Sequence, residues 1–356
     1  MKKRMIALAL CLALCLAGCG QAPAAPGSGT EGLEKYSVYW FDVFDTVTQV
    51  TGYAESQEAW DEQMAALHAD LVRYHQLYDI YNTYDGLNNL ATVNAAAGQA
   101  PVQVDSAILD MLEMALYAYD VTDGKMNITC GSMLRVWHNY RTAGLAEPEQ
   151  AQLPPMEELE TAMQHGTPQD VVLDREAGTV FLRDADMLLD VGSVGKGYAV
   201  EQAARAAEAR GLSSALISVG GNLRSIGKKP DGSAWTGGVQ NPWADHYQGQ
   251  QYLCAVQIVD GALVTSGDYQ RYYEVDGERY HHLIDTETLM PASHFDAVAV
   301  YCADSGWADC LSTGLFCMGL AQGQELVAGL EGVEAMWMLQ DGSIVYSDGF
   351  KQDIRD

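Results

Sequence analysis

Apolar and polar positions along this chain follow two different periods, and the switches between them mark out its elements. Residues 36–53 (YSVYWFDVFDTVTQVTGY) are dense in Val, Thr and aromatic side chains, which predicts a strand pair turning near Asp45. Over residues 56–78 the spacing changes: Trp60, Met64, Leu67, Leu71, Tyr74 and Tyr78 recur as one stripe of an amphipathic helix. A polar loop then merges into a short helix (DIYNTYDGLNNLATVN, residues 79–94). A second long helix is expected over 105–120, with Ile108, Leu109, Leu112, Ala115 and Leu116 on its face and Asp123-Gly124 ending it. Residues 126–140 predict a loop and a short helix, and 144–169 read as a polar excursion containing Pro148, Pro154 and Pro155.

Beyond it, residues 171–182 predict a hairpin turning at 174–178. A glycine-rich turn within LDVGSVGKGYAV leads into an Ala-rich helix over 199–210. Strands are expected over 214–225, 235–240 and 253–275, the last interrupted by a tight turn at Ser266-Gly267-Asp268. A strand over 297–303, a helix over 307–318 and a hairpin over 333–347 complete the pattern. Hairpins interspersed with helices argue for an α+β domain of mixed antiparallel sheets rather than a doubly wound parallel sheet.

The N-terminus carries a different signal. Lys2, Lys3 and Arg4 precede an apolar run from Met5 to Ala17, too short to span a bilayer and suited to the core of a secretory leader. The run ends Leu16-Ala17-Gly18-Cys19, the small-small-Cys pattern of a bacterial lipoprotein signal. The expectation is therefore a signal peptide over 1–18, a lipidated Cys19 opening a flexible Pro/Gly/Ala/Ser tether over 19–33, and one folded domain over 34–356. The protein would then be extracytoplasmic and anchored by lipid to the bacterial cell membrane.

Charge and cysteine usage narrow the function. The formal net charge is −28, and loss of the basic leader residues would make the rest more acidic still. Such a surface argues against nucleic acid and requires that any anionic ligand find a local cation or backbone N–H groups. Outside the leader and Cys19 stand Cys130, Cys254, Cys302, Cys310 and Cys317, an odd number without a Cys-x-x-Cys pair. A disulfide framework or a zinc site is not expected from them, and buried inert thiols are.

Candidate chemistry gathers around the glycine turn. The spacing fits neither Gly-x-Gly-x-x-Gly nor Gly-x4-Gly-Lys-Ser/Thr, because Gly197 follows Lys196. The ingredients of a phosphate site are nevertheless present: glycines, a helix start and one lysine. Ser193-Val194-Gly195-Lys196 also matches the Ser-x-x-Lys nucleophile pattern of penicillin-binding proteins, but its Ser-Asp-Asn and Lys-Thr-Gly companions are absent. A plain strand–turn–helix corner is the structural alternative. Further on, Asp309 and Thr313 lie four residues apart on one helix face and form a hard-oxygen pair suited to Mg²⁺; alternatively, Asp309 caps its helix and Thr313 packs. His281 and His282 precede an apolar pair and Asp285, and His282 is a candidate general base.

These segments, taken in order, resemble the ApbE-type flavin transferases. The likeness is carried by FDT (44–46), DIYNTYDGLNNLATVN, GKMNITCGSMLRVW (124–137), LDVGSVGKGYAVE, ALISVGGNLRSIGKKPDG, VTSGDYQRYYEVDGERYHHLID and WADCLSTGLFCMG. The resemblance implies a single T-fold-like α+β domain. It implies an enzyme that cleaves FAD at its diphosphate with Mg²⁺, releases AMP and attaches FMN by a phosphoester bond to a Thr or Ser of an acceptor flavoprotein. Carried over by position, Ser193, Asp309 and Thr313 are the implied metal ligands. Asp190 and Lys196 are implied FAD contacts, and Phe44, Tyr81, Lys125, Met126, Asn127 and Leu283 match flavin- or adenine-side positions. His282 matches the histidine that deprotonates the acceptor hydroxyl. The implied acceptor is an extracytoplasmic flavoprotein with a Ser/Thr-Gly-Ala-Ser/Thr motif.

The chain departs from the family pattern at several places. Ser193 stands where a second glycine is usual, Asn127 where an acid is common, and Asn222 ends a Gly-Gly-Asp pattern. The Pro and Gly of a usual His-Ile-Ile-Asp-Pro-Arg-Thr-Gly run are replaced in His282-Leu283-Ile284-Asp285-Thr286-Glu287-Thr288-Leu289. Asp309, Thr313 and Lys196 are all kept, so activity is expected. The alternatives are a lipoprotein that binds FAD without transfer, an acyl-enzyme built on Ser193, and a hydrolase that splits FAD with water as acceptor.

Overall fold

In the computed structural model the described residues are 32–244, 251–350 and, as backbone, 354–355. The leader, Cys19 and all but the last residues of the tether lie outside them. In chain order the elements are β1 (Glu34–Trp40), β2 (Thr48–Ala54), α1 (Gln57–Tyr78), α2 (Leu90–Ala95), β3 (Val102–Gln103), α3 (Ser106–Val121), α4 (Gly131–Ala146), α5 (Met156–Met163), β4 (Val171–Asp174), β5 (Thr179–Leu182) and α6 (Gly195–Ala209). There follow β6 (Ala215–Val219), β7 (Asn222–Ile226), β8 (Trp235–Gln240), β9 (Tyr252–Ile258), β10 (Ala262–Gly267), β11 (Tyr272–Val275), β12 (Glu278–His281), β13 (Phe295–Cys302), α7 (Ser305–Cys317), α8 (Leu320–Ala328), β14 (Glu334–Leu339), β15 (Ile344–Tyr346) and β16 (Ile354–Arg355).

An eight-stranded sheet of order β1-β2-β6-β7-β10-β13-β14-β15 organises the domain, and each neighbouring pair in it is antiparallel. Its interior strand β13 reads as a nearly continuous apolar run because both faces are covered. Val298, Val300 and Cys302 face a core shared with Leu311, Leu315 and Phe316 of α7. Ala297 and Ala299 face the other way, onto Val239, Val256 and Ile258 of the small sheet β16-β9-β8. Toward β1, Val50, Ile217 and Val219 pack under Trp60, Leu67 and Leu71 of α1 and Val200, Ala203 and Ala207 of α6. The helical stripe of α1 is thus buried as its spacing predicts, with Ser56 accepting from the Ala59 N–H at its start.

Three boundaries differ from the sequence pattern. Helix α4 runs on to Ala146, and part of the polar excursion folds as α5 around a buried Leu159. Helix α6 starts at Gly195, a turn before its Ala-rich stretch, because its early N–H groups find acceptors: Gly195 bonds the Val191 carbonyl and Gly197 bonds Asp309 of α7. Ser266 and Gly267 are not a tight turn but the end of β10, opposite Val298 and Ala297, since β13 needs a ladder partner along that length.

A buried ion pair fixes α6 against the sheet and against α7. Glu201 accepts from Arg224 Nε of β7 at 2.8 Å and from the Ser305 N–H at the start of α7 at 2.9 Å. Glu201 and Arg224 side chains are 1% and 6% exposed, so neither charge is shared with solvent. Glu201→Ala is expected to destabilise the domain by about 3–5 kcal/mol, because it leaves the buried guanidinium only the more distant Glu208 carboxylate, at 3.6 Å. Urea unfolding of the variant measures this, and a loss under about 1 kcal/mol would show that Glu208 suffices for Arg224.

Candidate active site

The glycine turn is built by its neighbours before α6 begins. Leu189 is held by a reciprocal amide clamp: its N–H donates to Asn94 Oδ1 at 2.8 Å, and Asn94 Nδ2 donates to its carbonyl at 3.0 Å. The Asp190 N–H bonds the Ile128 carbonyl at 2.8 Å, and the Gly131 N–H bonds the Leu188 carbonyl at 3.1 Å. Gly131 is required there, since a Cβ would lie 2.3 Å from the Leu188 oxygen. The chain then turns sharply, with the Gly192 N–H on Asp190 Oδ1 at 2.9 Å. Burial pushes the Asp190 carboxyl up, against the Gly192 bond and the positive groups His138, Arg141 and Arg135, which hold it down.

Lys196 and Asp309 meet where α6 crosses α7. The Gly197 N–H donates to Asp309 Oδ2 at 2.7 Å, and Lys196 Nζ stands 3.9 Å from Asp309 Oδ1. The helices approach so closely that a Cβ on Gly197 would lie 2.3 Å from the Ser305 carbonyl and 2.5 Å from Asp309 Cβ. Asp309 therefore caps a helix, but not its own: α7 is capped by Asp304, which accepts from the Trp307 N–H, and Asp309 serves the N-terminus of α6. Ser312 Oγ bonds both the Asp309 carbonyl at 3.0 Å and Ser266 Oγ at 2.8 Å, tying β10 to this part of α7. Thr313 is half-buried one turn along.

On the sheet side, Lys196 Nζ donates to Asn222 Oδ1 at 2.9 Å. Asn222 follows Gly220 and Gly221, whose φ of +55° and +92° close a two-residue hairpin with both central residues left-handed, a turn that glycine favours. The substitution of Asp by Asn at 222 therefore exchanges an ion pair to Lys196 for a neutral acceptor. Asn222 Nδ2 is buried without a partner among the described residues. Thr46 stands over this turn so closely that a Cβ on Gly220 would lie 2.7 Å from its Oγ1, and the adjoining Phe44 and Asp45 hold positive φ of 56° and 49°. Phe44 is pinned there by its N–H to His75 Nδ1 at 3.2 Å and by ring contact with His75.

The two adjacent histidines have different surroundings. His281 is satisfied: Nε2 meets the Ala292 carbonyl at 2.9 Å and Nδ1 accepts from the Leu283 N–H. His282 Nδ1 is buried with no partner among the described residues. Burial first, then the positive charge of Arg271, His281 and Arg141, pushes His282 down to about 3.

The remaining residues implied by resemblance fall into two groups. Tyr81 is 67% exposed, with its ring 5.8 Å from that of His138. Lys125 is not a free cation: Nζ lies 2.9 Å from both Asp285 Oδ1 and Glu287 Oε2, and despite burial these carboxylates raise it above the usual lysine range. Met126 and Leu283 are buried in the apolar cores, and Asn127 Oδ1 caps the Thr129 N–H. Contacts from 125–127 would therefore come mainly from the main chain, because their side chains are engaged.

Reading by motif overlooked the cations of α4 and the turn before β11, namely Arg135, His138, Arg141 and Arg271. The signal of the first three was present as helical spacing in RVWHNYR, residues 135–141. A trio outside the predicted site, His165, Asp184 and Asp186, brings its ligand atoms within 4.8 Å of one another, but His165 is already paired to Asp184 at 2.7 Å and Asp186 is exposed. A groove of about 660 Å³ between α4 and α5, lined by Ser132, Val136, Glu158 and Thr161, contains none of the predicted site residues.

Residues 44–337 match the model of the ApbE family. The chain is 30% identical over 328 residues to the FAD:protein FMN transferase of Treponema pallidum, covering 88% of this chain and 87% of the relative. It is 34% identical over 276 residues to that of Salmonella typhimurium, covering 76% and 75%. Among solved structures, the ApbE protein of Thermotoga maritima superposes with a TM-score of 0.78 at 26% identity, over 91% of this chain and all of that one. The flavin transferase ApbE of Vibrio cholerae shares the fold with a TM-score of 0.76 at 21% identity, over 90% and 99%.

A ring held down to about 3 keeps its lone pair at every pH above that value. NMR of ring-labelled protein should show no titration of His282 between pH 5 and 8. A midpoint near the ordinary 6.5 would show that burial and the neighbouring positive charge do not hold the ring down.

Proposed function

The chain belongs to the ApbE family and is a flavin transferase, and from that premise we propose that it moves FMN from FAD to a Thr or Ser of an extracytoplasmic flavoprotein with the help of Mg²⁺. The observation carrying this reading is the junction of Lys196, Asp309 and the start of α6 in a chain of charge −28. There the strongly acidic protein sets a lysine beside a buried carboxylate, so that an anion and the cation that bridges it to the protein can be held together.

The donor set suits a hard divalent cation. Asp309 is 4% exposed and gives one oxygen to the Gly197 N–H, while Oδ1 has Lys196 only at 3.9 Å, too far for a hydrogen bond. Asp309, Thr313 and Ser193, through its carbonyl or hydroxyl, would hold the metal, as the resemblance implies. Bound there, Mg²⁺ would polarise the diphosphate and offset charge on the departing AMP oxygen.

The protein's own groups divide the remaining work. Lys196, steadied by Asn222, binds the FAD diphosphate. The glycine turn brings its backbone close to the phosphates without a Cβ in the way. His282 takes the proton of the acceptor hydroxyl as that oxygen bonds to the FMN phosphorus. The phosphoanhydride bond breaks, and AMP leaves with its electron pair. An unpaired buried ring nitrogen is expected of such a base rather than of a structural histidine. The basic leader, apolar run and Cys19 support placing the reaction outside the cytoplasm on a lipid-anchored protein.

One incubation tests the reading: the full chain with FAD, Mg²⁺ and a flavoprotein domain bearing Ser-Gly-Ala-Thr, followed by mass spectrometry of the acceptor. An FMN adduct is expected that requires Mg²⁺ and is lost in Asp309→Ala. Lys196→Met should slow transfer by roughly 10²-fold and His282→Ala by roughly 10²–10⁴-fold. Release of FMN and AMP without an adduct would reduce the enzyme to an FAD hydrolase, and intact FAD throughout would leave a flavin-binding protein.

A further inference from the structure

We infer that Arg135, His138 and Arg141 of α4, together with Arg271 before β11, form a docking site for an acidic segment of the acceptor protein beside His282. The inference rests on the transferase reading of the site and adds the chemistry of the partner.

Arg135, His138 and Arg141 follow one another at three-residue steps along α4, so they lie along one side of the helix. Arg141 Nη2 is 3.2 Å from His138 Nδ1. One turn on, Gly144 lets α4 press on the hairpin: a Cβ there would lie 2.7 Å from the Tyr273 ring. That contact brings Arg271, two residues before Tyr273, into the field of Arg141. Burial and then the Arg271 charge hold Arg141 below the usual guanidinium range.

Six of the other seven arginines whose side chains are described, Arg73, Arg175, Arg205, Arg210, Arg224 and Arg279, have a carboxylate within 4 Å, and the seventh, Arg183, donates to the Gln169 carbonyl. Arg135, Arg141 and Arg271 have none among the described residues, in a chain with 48 acidic side chains to choose from. Asp190 is within the field of Arg135 and Arg141, but its carboxylate accepts from the Gly192 N–H. Three unpaired guanidinium groups gathered in one place repel one another, and an anionic occupant removes that cost.

A protein segment fits better than the FAD diphosphate. The diphosphate has its own partners at Lys196 and the α6 turn. Arg135 and Arg271 are exposed, as a macromolecular partner requires. Arg271 and Arg141 both act on His282, the group that meets the acceptor hydroxyl. Residues flanking that hydroxyl in the acceptor's chain would reach these cations, and Asp or Glu is the chemistry they select. Elsewhere the net charge repels such a segment, so the cluster also sets its orientation.

The test uses the full chain and two labelled peptides with a Ser-Gly-Ala-Thr core, one flanked by Asp and Glu and the other by Lys. Fluorescence anisotropy at low salt should show the acidic peptide binding about tenfold tighter, with the gap closing as salt is raised. Arg141→Gln/Arg271→Gln should abolish the preference and leave FAD affinity unchanged, while Arg141→Lys/Arg271→Lys keeps most of it and reports that α4 still folds. Equal binding of the two peptides, tighter binding of the lysine peptide, or displacement of the acidic peptide by FAD would overturn the proposal. Inert FAD alongside an intact peptide preference would count against the transferase reading while the docking site stood.

Discussion

The candidate site depends on the approach of two helices with no side chain between them. Gly197 lets α6 lie against α7 so closely that its N–H meets the Asp309 carboxylate at 2.7 Å. This single contact satisfies an early N–H of α6, holds a buried carboxylate in place and brings Lys196 within 3.9 Å of it. Any larger residue at 197 would push the helices apart and separate lysine from aspartate. Glu201, one turn further along α6, secures the same junction by binding the first N–H of α7 and the Arg224 side chain of the sheet.

Around that junction the electrostatics are arranged against the chain's own average. The domain is strongly acidic, yet the surroundings of the glycine turn collect Lys196, Arg135, His138 and Arg141. The acids that do enter are engaged: Asp309 by a backbone N–H, Asp190 by Gly192 and Asp285 by Lys125. Two kinds of positive potential result. One lies with Lys196 at a helix N-terminus, suited to phosphate. The other lies along α4 and before β11, next to a histidine kept neutral by burial and neighbouring cations.

The sequence determined the class of fold and the order of its parts. Period-3.6 stripes such as Trp60-Met64-Leu67-Leu71 bury where they predict, and runs of Val, Thr and aromatics become paired strands, because each pattern has only one face to hide. Helix ends marked by Ser56 and Asp105 were also legible, since a cap acts through bonds to its own next turn. Lys196 and Asp309, which meet at the start of α6, were readable as parts of two ordered motifs. What a side chain does after folding was not readable in this way. Asp309 could be read as the cap of its own helix, whereas the fold makes it the cap of another, and Lys125 could be read as a ligand contact, whereas Asp285 and Glu287 occupy it. The division between His281 and His282, and the meeting of Arg141 with Arg271, were settled only by tertiary structure. Local pattern fixes which residues share a face, but partners far apart in sequence are chosen by which faces pack, and that choice decides whether a charge is paired, buried or left for a ligand.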